Sequence, residues 1–159
     1  MSSLWRAGNE AESKPFFVCT GGEPLLQLDS ELVDAMHARG FEIAVETNGT
    51  VEPPAGIDWL CVSPKGASEL VLTGGDELKL VYPQPEALPE RFVSLDFAHF
   101  YLQPLDTAAL DALPAPAAAR EHYREVLASD TPMNQCVSYC MRNPQWQLSL
   151  QTHKISGID

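Results

Sequence analysis

Short apolar runs recur along this chain, each followed by a polar turn rich in glycine or proline. Residues 16–19 (FFVC), 42–46 (EIAVE), 58–62 (DWLCV), 77–82 (ELKLVY), 98–102 (AHFYL) and 146–150 (WQLSL) have the length and composition of strands. Between the first two lies a helical pattern. Asp29 or Ser30 serves as its N-cap, Leu32, Val33 and Met36 fall on one face, and Gly40 stops it just past Arg39. A second helix is expected from the Thr131 cap and Pro132 in its first turn to Arg142, ahead of Asn143-Pro144. Strands that alternate with helices predict an α/β fold built on parallel strands. The proline-bearing stretch 81–95 reads as irregular. Residues 107–132 read as an insert within a single domain spanning 1–159: an Ala/Pro-rich loop, then helical composition over 117–128.

The polar exits carry the chemistry. Five of the runs end in Thr20-Gly21-Gly22-Glu23-Pro24, Glu46-Thr47-Asn48-Gly49, Ser63-Pro64-Lys65, Gln103-Pro104-Leu105-Asp106 and Gln151-Thr152-His153-Lys154. In a parallel sheet these clusters share one rim, which is the ligand-binding edge of a β/α barrel, closed or partial. Adjacent glycines in the first cluster let a ligand approach the backbone closely, and Glu23 offers a carboxylate for an ammonium group. That combination suits the methionine part of S-adenosylmethionine, although a plain strand-to-helix turn has the same sequence. Glu46 and Asn48 have the donors and acceptors to meet the edge of a purine or pterin ring, while Asn-Gly is also an ordinary tight turn. Ser63 and Lys65 suit a ribose or a carboxylate. Gln103 and Asp106 present a carboxamide and a carboxylate, and Asp106 equally fits a helix cap. His153 follows the last strand at the same rim.

Composition narrows the partners. Ten Lys and Arg against 22 Asp and Glu give a formal net charge of −12. That sign opposes a phosphate-neutralising surface, so nucleic acid is not the expected partner. No run is long and apolar enough to span a membrane, and residues 1–6 lack the apolar stretch of a signal peptide, so the expected setting is the cytoplasm. Of the four cysteines, Cys19 and Cys61 read as small buried residues. Cys136 and Cys140 share a helix face without further ligands nearby, and are read as structural. Taken alone, the residues point to a small-molecule site for an amino-acid-bearing cofactor on a parallel α/β sheet.

The ordered set CTGGEP, ETNG, SPK, QPLD and QTHK, with NPQWQLSL leading into the last, resembles the 7-carboxy-7-deazaguanine synthases of the radical S-adenosylmethionine superfamily. The first two motifs are shared with related radical enzymes such as glycyl-radical activases. SPK, QPLD and QTHK are more specific, and the likeness runs over nearly the whole chain. It implies a partial, open β/α barrel of the radical type with mostly parallel strands. It also implies a lyase reaction that contracts 6-carboxy-5,6,7,8-tetrahydropterin to 7-carboxy-7-deazaguanine with loss of ammonia. The implied cofactors are S-adenosylmethionine, a [4Fe-4S] cluster and magnesium, in a homodimer. Carried over by motif, Gly22, Glu23, Ser63, Pro64, Lys65, Gln103, Pro104, Leu105 and Asp106 contact S-adenosylmethionine. Thr20, Glu46, Asn48, His153 and the terminal Asp159 contact the pterin.

The resemblance also exposes a departure. The family's N-terminal CxxxCxxC-type loop has no counterpart here, nor have its first strand and the magnesium-binding Thr beside the cluster cysteines. The chain therefore reads as the C-terminal two-thirds of a synthase, expected alone to hold no cluster, no metal and no activity. Two alternatives stand beside that reading: a domain that binds S-adenosylmethionine or a pterin without turnover, and a relative of the radical activases.

Overall fold

The computed structural model describes residues 14–107, 121, 123, 125–128 and 130–157. Six strands form one open sheet: β1 (Phe16–Cys19), β2 (Glu42–Thr47), β3 (Trp59–Val62), β4 (Gly74–Tyr82), β5 (Asp96–Pro104) and β6 (Trp146–Leu148). They lie side by side in the order of the sequence, and every neighbouring pair is parallel. The expected α/β class with an open parallel sheet is therefore the observed one.

Parallel registers place matching residues of successive strands on the same face. Ile43, Val45, Val62, Leu78, Leu80, Leu102 and Trp146 point to one side and are essentially buried. Helix α1 (Ser30–His37) and helix α2 (Pro132–Arg142) cover that side, burying Val33 from α1 and Cys136 and Tyr139 from α2. The Asp29 side chain caps α1 by accepting from the Leu32 N–H at 2.8 Å. Thr131 caps α2 in the same way, accepting from Asn134 N at 3.2 Å, with Pro132 in the first turn. The Tyr139 ring packs on Tyr82 and Trp146, with centroids 5.4 and 6.4 Å away, and locks α2 onto the sheet.

Asp58 ties the opposite end of the layers together. Its Oδ2 accepts from the Ile43 N–H at 2.8 Å and lies 2.8 Å from Nε2 of His37 at the end of α1. The Ile43 N–H, followed by His37, holds the Asp58 carboxyl below its ordinary value of 3.8. A carboxylate whose pKa is depressed on folding stabilises above the unfolded value and ceases to do so as pH falls through the folded one. Asp58→Asn is thus expected to be less stable than the parent at pH 7, with the difference shrinking as pH drops below about 4. Urea midpoints at pH 7 and pH 3 check this; a pH-independent difference would remove Asp58 from the titration.

The observed boundaries depart from the sequence pattern at several points. β4 begins at Gly74 rather than residue 77, because Gly74 and Gly75, poor strand formers, pair with Asp96 and Phe97 of β5. β5 extends to Pro104, so Gln103 and Pro104 are strand residues rather than loop. β6 ends at Leu148, and Thr152–Ser156 form a short helix, α3, that the pattern does not announce. A 3-10 turn, Pro24–Leu26, follows the glycine pair ahead of α1, and another, Pro89–Arg91, lies in the proline-bearing stretch. Most of the expected insert lies outside the described residues. Among described residues, no helix is long and apolar enough to cross a membrane.

Candidate functional site

Because all six strands run the same way, their C-terminal ends form one edge, and four polar clusters sit directly on it. Thr20, Gly22 and Glu23 follow β1. Glu46 lies at the end of β2 with Asn48 just beyond. Ser63, Pro64 and Lys65 follow β3. Gln103 and Pro104 end β5, with Leu105 and Asp106 next. His153 is exposed in α3, after β6, and Asp159 lies outside the described residues.

Hydrogen bonds join the first three clusters. One oxygen of Glu23 accepts from Leu25 N at 3.1 Å and from the Thr47 hydroxyl at 2.8 Å; the other accepts from Asn48 N at 2.9 Å. Glu23 therefore holds the glycine turn against the exit of β2. The sequence suggests an ammonium ligand for this carboxylate, whereas in the structure three protein donors already occupy it. Thr47 is almost fully buried, and its hydroxyl oxygen also accepts from Gly49 N at 3.1 Å. Asn48 turns its Oδ1 to the Thr50 N–H and hydroxyl, at 2.9 and 2.6 Å. Ser63 N donates to Thr47 O at 2.8 Å, placing the β3 exit beside that of β2. The Lys65 ammonium donates to Ser63 Oγ at 2.9 Å.

The face of the sheet away from the helices is polar. Glu46, Cys61, Glu77 and His99 are successive register partners on β2 to β5, and Lys79 and Tyr101 form the next level up. Lys79 reaches across β3 to Glu46 Oε1, 2.9 Å away, and lies 3.8 Å from Glu77 Oε1. Burial alone would lower the Lys79 ammonium, but the hydrogen bond to Glu46 and the nearby negative charges leave it raised. Desolvation lowers Lys65, and the positive charge of Lys79 lowers it further. On the same face Trp59 on β3 stacks with His99 on β5, ring centroids 5.8 Å apart. The sequence reading missed Lys79 and Glu77, taking ELKLVY only as a strand. The signal was present: charged residues at alternate positions of an internal strand mean that one sheet face is not packed against an apolar layer.

A cavity of about 330 Å³ lies along the exposed edge at β1, bordered by Thr20, Gly22 and Glu23 and by Phe17, Leu28 and Leu32. Glu46, Asn48, Ser63 and Lys65 do not border it. Phe16, Phe17 and Val18 are between 41% and 49% exposed, so β1 is an apolar edge strand.

No family model matches the chain. It is, however, 53% identical over 141 residues to the 7-carboxy-7-deazaguanine synthase of Caulobacter vibrioides, covering 89% of this chain and 58% of that protein. The synthase of Bradyrhizobium diazoefficiens is 51% identical over 158 residues, covering 99% of this chain and 65% of the relative. Over the stretch it shares with them, this chain is a sequence relative of the 7-carboxy-7-deazaguanine synthases. The same enzyme of Bordetella pertussis is 53% identical over 143 residues, 90% of this chain and 59% of the relative. The chain thus spans about three-fifths of the length of the curated synthases it matches.

An iron–sulfur cluster would require clustered thiolates, and the described cysteines do not provide them. Cys61 is buried in β3 and Cys136 in α2, and burial pushes each thiol up to about 12. Cys19 on β1 and Cys140 on α2 are raised by burial as well. The Cys136 thiol points to Tyr82 O, 3.6 Å away. Among described residues, no group of three or more His, Cys, Asp or Glu is arranged to hold a metal ion. These residues therefore do not fit the cluster or the magnesium that the synthase family implies.

Proposed function

We propose that this chain binds S-adenosylmethionine and 6-carboxy-5,6,7,8-tetrahydropterin on the rim and open face of its sheet. It would do so as the ligand-binding part of a cytoplasmic, homodimeric 7-carboxy-7-deazaguanine synthase. That activity is a carbon–nitrogen lyase step of the radical S-adenosylmethionine type, a ring contraction with loss of ammonia that leads to queuosine and related 7-deazapurines. The supporting observation is that the polar clusters of a chain related to the synthases come together at one sheet edge, three of them joined by Glu23, Thr47 and Ser63.

In this reading the backbone at Gly22, with no Cβ in the way, admits the amino-acid end of S-adenosylmethionine, and Glu23 keeps that turn in place. Ser63, Pro64 and Lys65, with Gln103, Pro104, Leu105 and Asp106, hold the rest of that cofactor. Thr20, Glu46, Asn48, His153 and Asp159 serve the pterin, whose 2-amino-4-oxo ring carries N–H donors that match a carboxylate. The cluster thiolates and the magnesium ligand come from polypeptide other than the described residues.

Fluorescence titration with pterin-6-carboxylate, a stable oxidised analogue, tests the reading. Saturable binding is expected, weakened at least about tenfold by Glu46→Gln, the usual cost of losing a charge-assisted hydrogen bond. Absence of binding, or equal binding by Glu46→Gln, overturns it. The buried cysteines favour a second reading, binding without turnover. Anaerobic incubation with iron and sulfide is then expected to give no reduced-cluster signal by electron paramagnetic resonance. A signal carried by this chain would eliminate that second reading.

A further inference from the structure

We propose that Lys79 is a positioning residue for the pterin subsite: it fixes the Glu46 carboxylate across the open sheet face so that this carboxylate selects a 2-amino ring. The inference rests on the function proposed above and adds a residue that neither the motifs nor that reading assigns. Lys79 stands near the middle of β4, an internal strand, with its side chain 16% exposed. Its ammonium spans β3 to reach Glu46 Oε1, passing the level of Cys61, whose small side chain leaves room.

Glu77, one level below, holds the same ammonium from the other side. Lys79 is thus gripped between two carboxylates. Of these, Glu46 is the more accessible, at 43% side-chain exposure against 18% for Glu77. Only Oε1 of Glu46 is engaged by Lys79, which leaves Oε2 directed by the ion pair but available to a ligand. A carboxylate held in this way accepts two N–H groups of a guanidine-like ring edge, and it loses one of them when the 2-amino group is replaced by oxygen. The hydrogen bond to Glu46 and the nearby negative charges hold the Lys79 ammonium above its ordinary value, so Lys79 stays charged at neutral pH.

The test compares pterin-6-carboxylate with lumazine-6-carboxylate, which carries oxygen in place of the 2-amino group. The parent chain is expected to prefer the pterin by about tenfold or more. Lys79→Gln is expected to lose most of that preference while keeping a cooperative urea transition, and Lys79→Met, of similar length without charge, serves if the first variant does not fold. Lys79→Arg, which retains a cation, is expected to keep part of the preference. Adding Glu46→Gln to Lys79→Gln is expected to cost no further preference, as for two residues acting as one unit. A preference unchanged in both Lys79→Gln and Lys79→Met overturns the assignment, even if stability falls, because Lys79 would then only staple strands. A parent chain that binds the pterin without any preference also overturns it. A parent chain that binds neither compound removes the functional reading itself.

Discussion

Gly49→Ala should unfold this protein more readily than any other single change at the rim, with a loss of about 2–5 kcal/mol. Gly49 has φ +82°, a left-handed conformation that costs an L side chain roughly 1–2 kcal/mol. A Cβ there would lie 2.7 Å from Val62 Cγ1 and 2.9 Å from Leu70 Cδ2. Val62 is fully buried at the end of β3 and cannot retreat, so overpacking adds about 1–3 kcal/mol. The backbone cannot simply swing away either. Gly49 O accepts from Val71 N and Leu72 N at 2.9 and 3.1 Å, and Gly49 N donates to the Thr47 hydroxyl oxygen. Urea denaturation read as free energy checks this, and a loss below about 1 kcal/mol would mean that the turn rearranges freely.

Glu23→Ala is expected to cost about 2–4 kcal/mol and to disconnect the first two clusters of the rim. Its carboxylate is the acceptor for Leu25 N, the Thr47 hydroxyl and Asn48 N. Removing it leaves the nearly buried Thr47 hydroxyl and the Asn48 N–H without that acceptor, and each stranded donor costs roughly 1–3 kcal/mol unless water replaces it. Glu23→Gln should fall between the parent and Glu23→Ala, since a carboxamide keeps one acceptor oxygen but sets an N–H₂ group against the other donors. Hydrogen exchange separates this from a diffuse effect. Protection at Leu25 and Asn48 should drop first and most, while amides in β4 and β5 stay protected until global unfolding. Uniform loss of protection would deny Glu23 its local role.

Much of the fold was legible because the signals were local. Each strand announces itself by a run such as EIAVE, and each of the two longer helices, α1 and α2, by a cap, Asp29 or Thr131, with Gly40 or Asn143 at its end. What escaped depended on pairing. Gly74 and Gly75 have poor strand propensity and join β4 only because Asp96 and Phe97 lie alongside. The five residues of α3 are too few to show a helical period. At the site, the motifs named the loops, but not what their side chains touch. Glu23 read as a ligand for an ammonium group because its partners, Thr47 and Asn48, lie 24 and 25 residues away. Lys79 read as strand filler because its partner Glu46 is 33 residues distant, beyond any short motif.

The strand order has an evolutionary corollary. Since the strands lie side by side in chain order, backbone pairing links each strand only to the one before and the one after it, much as in a linear array. Gaining or shedding a unit at either flank would leave every interior register intact. Such a scaffold can be lengthened, trimmed or recombined piecewise, with its ligand-facing loops still lined up along one side.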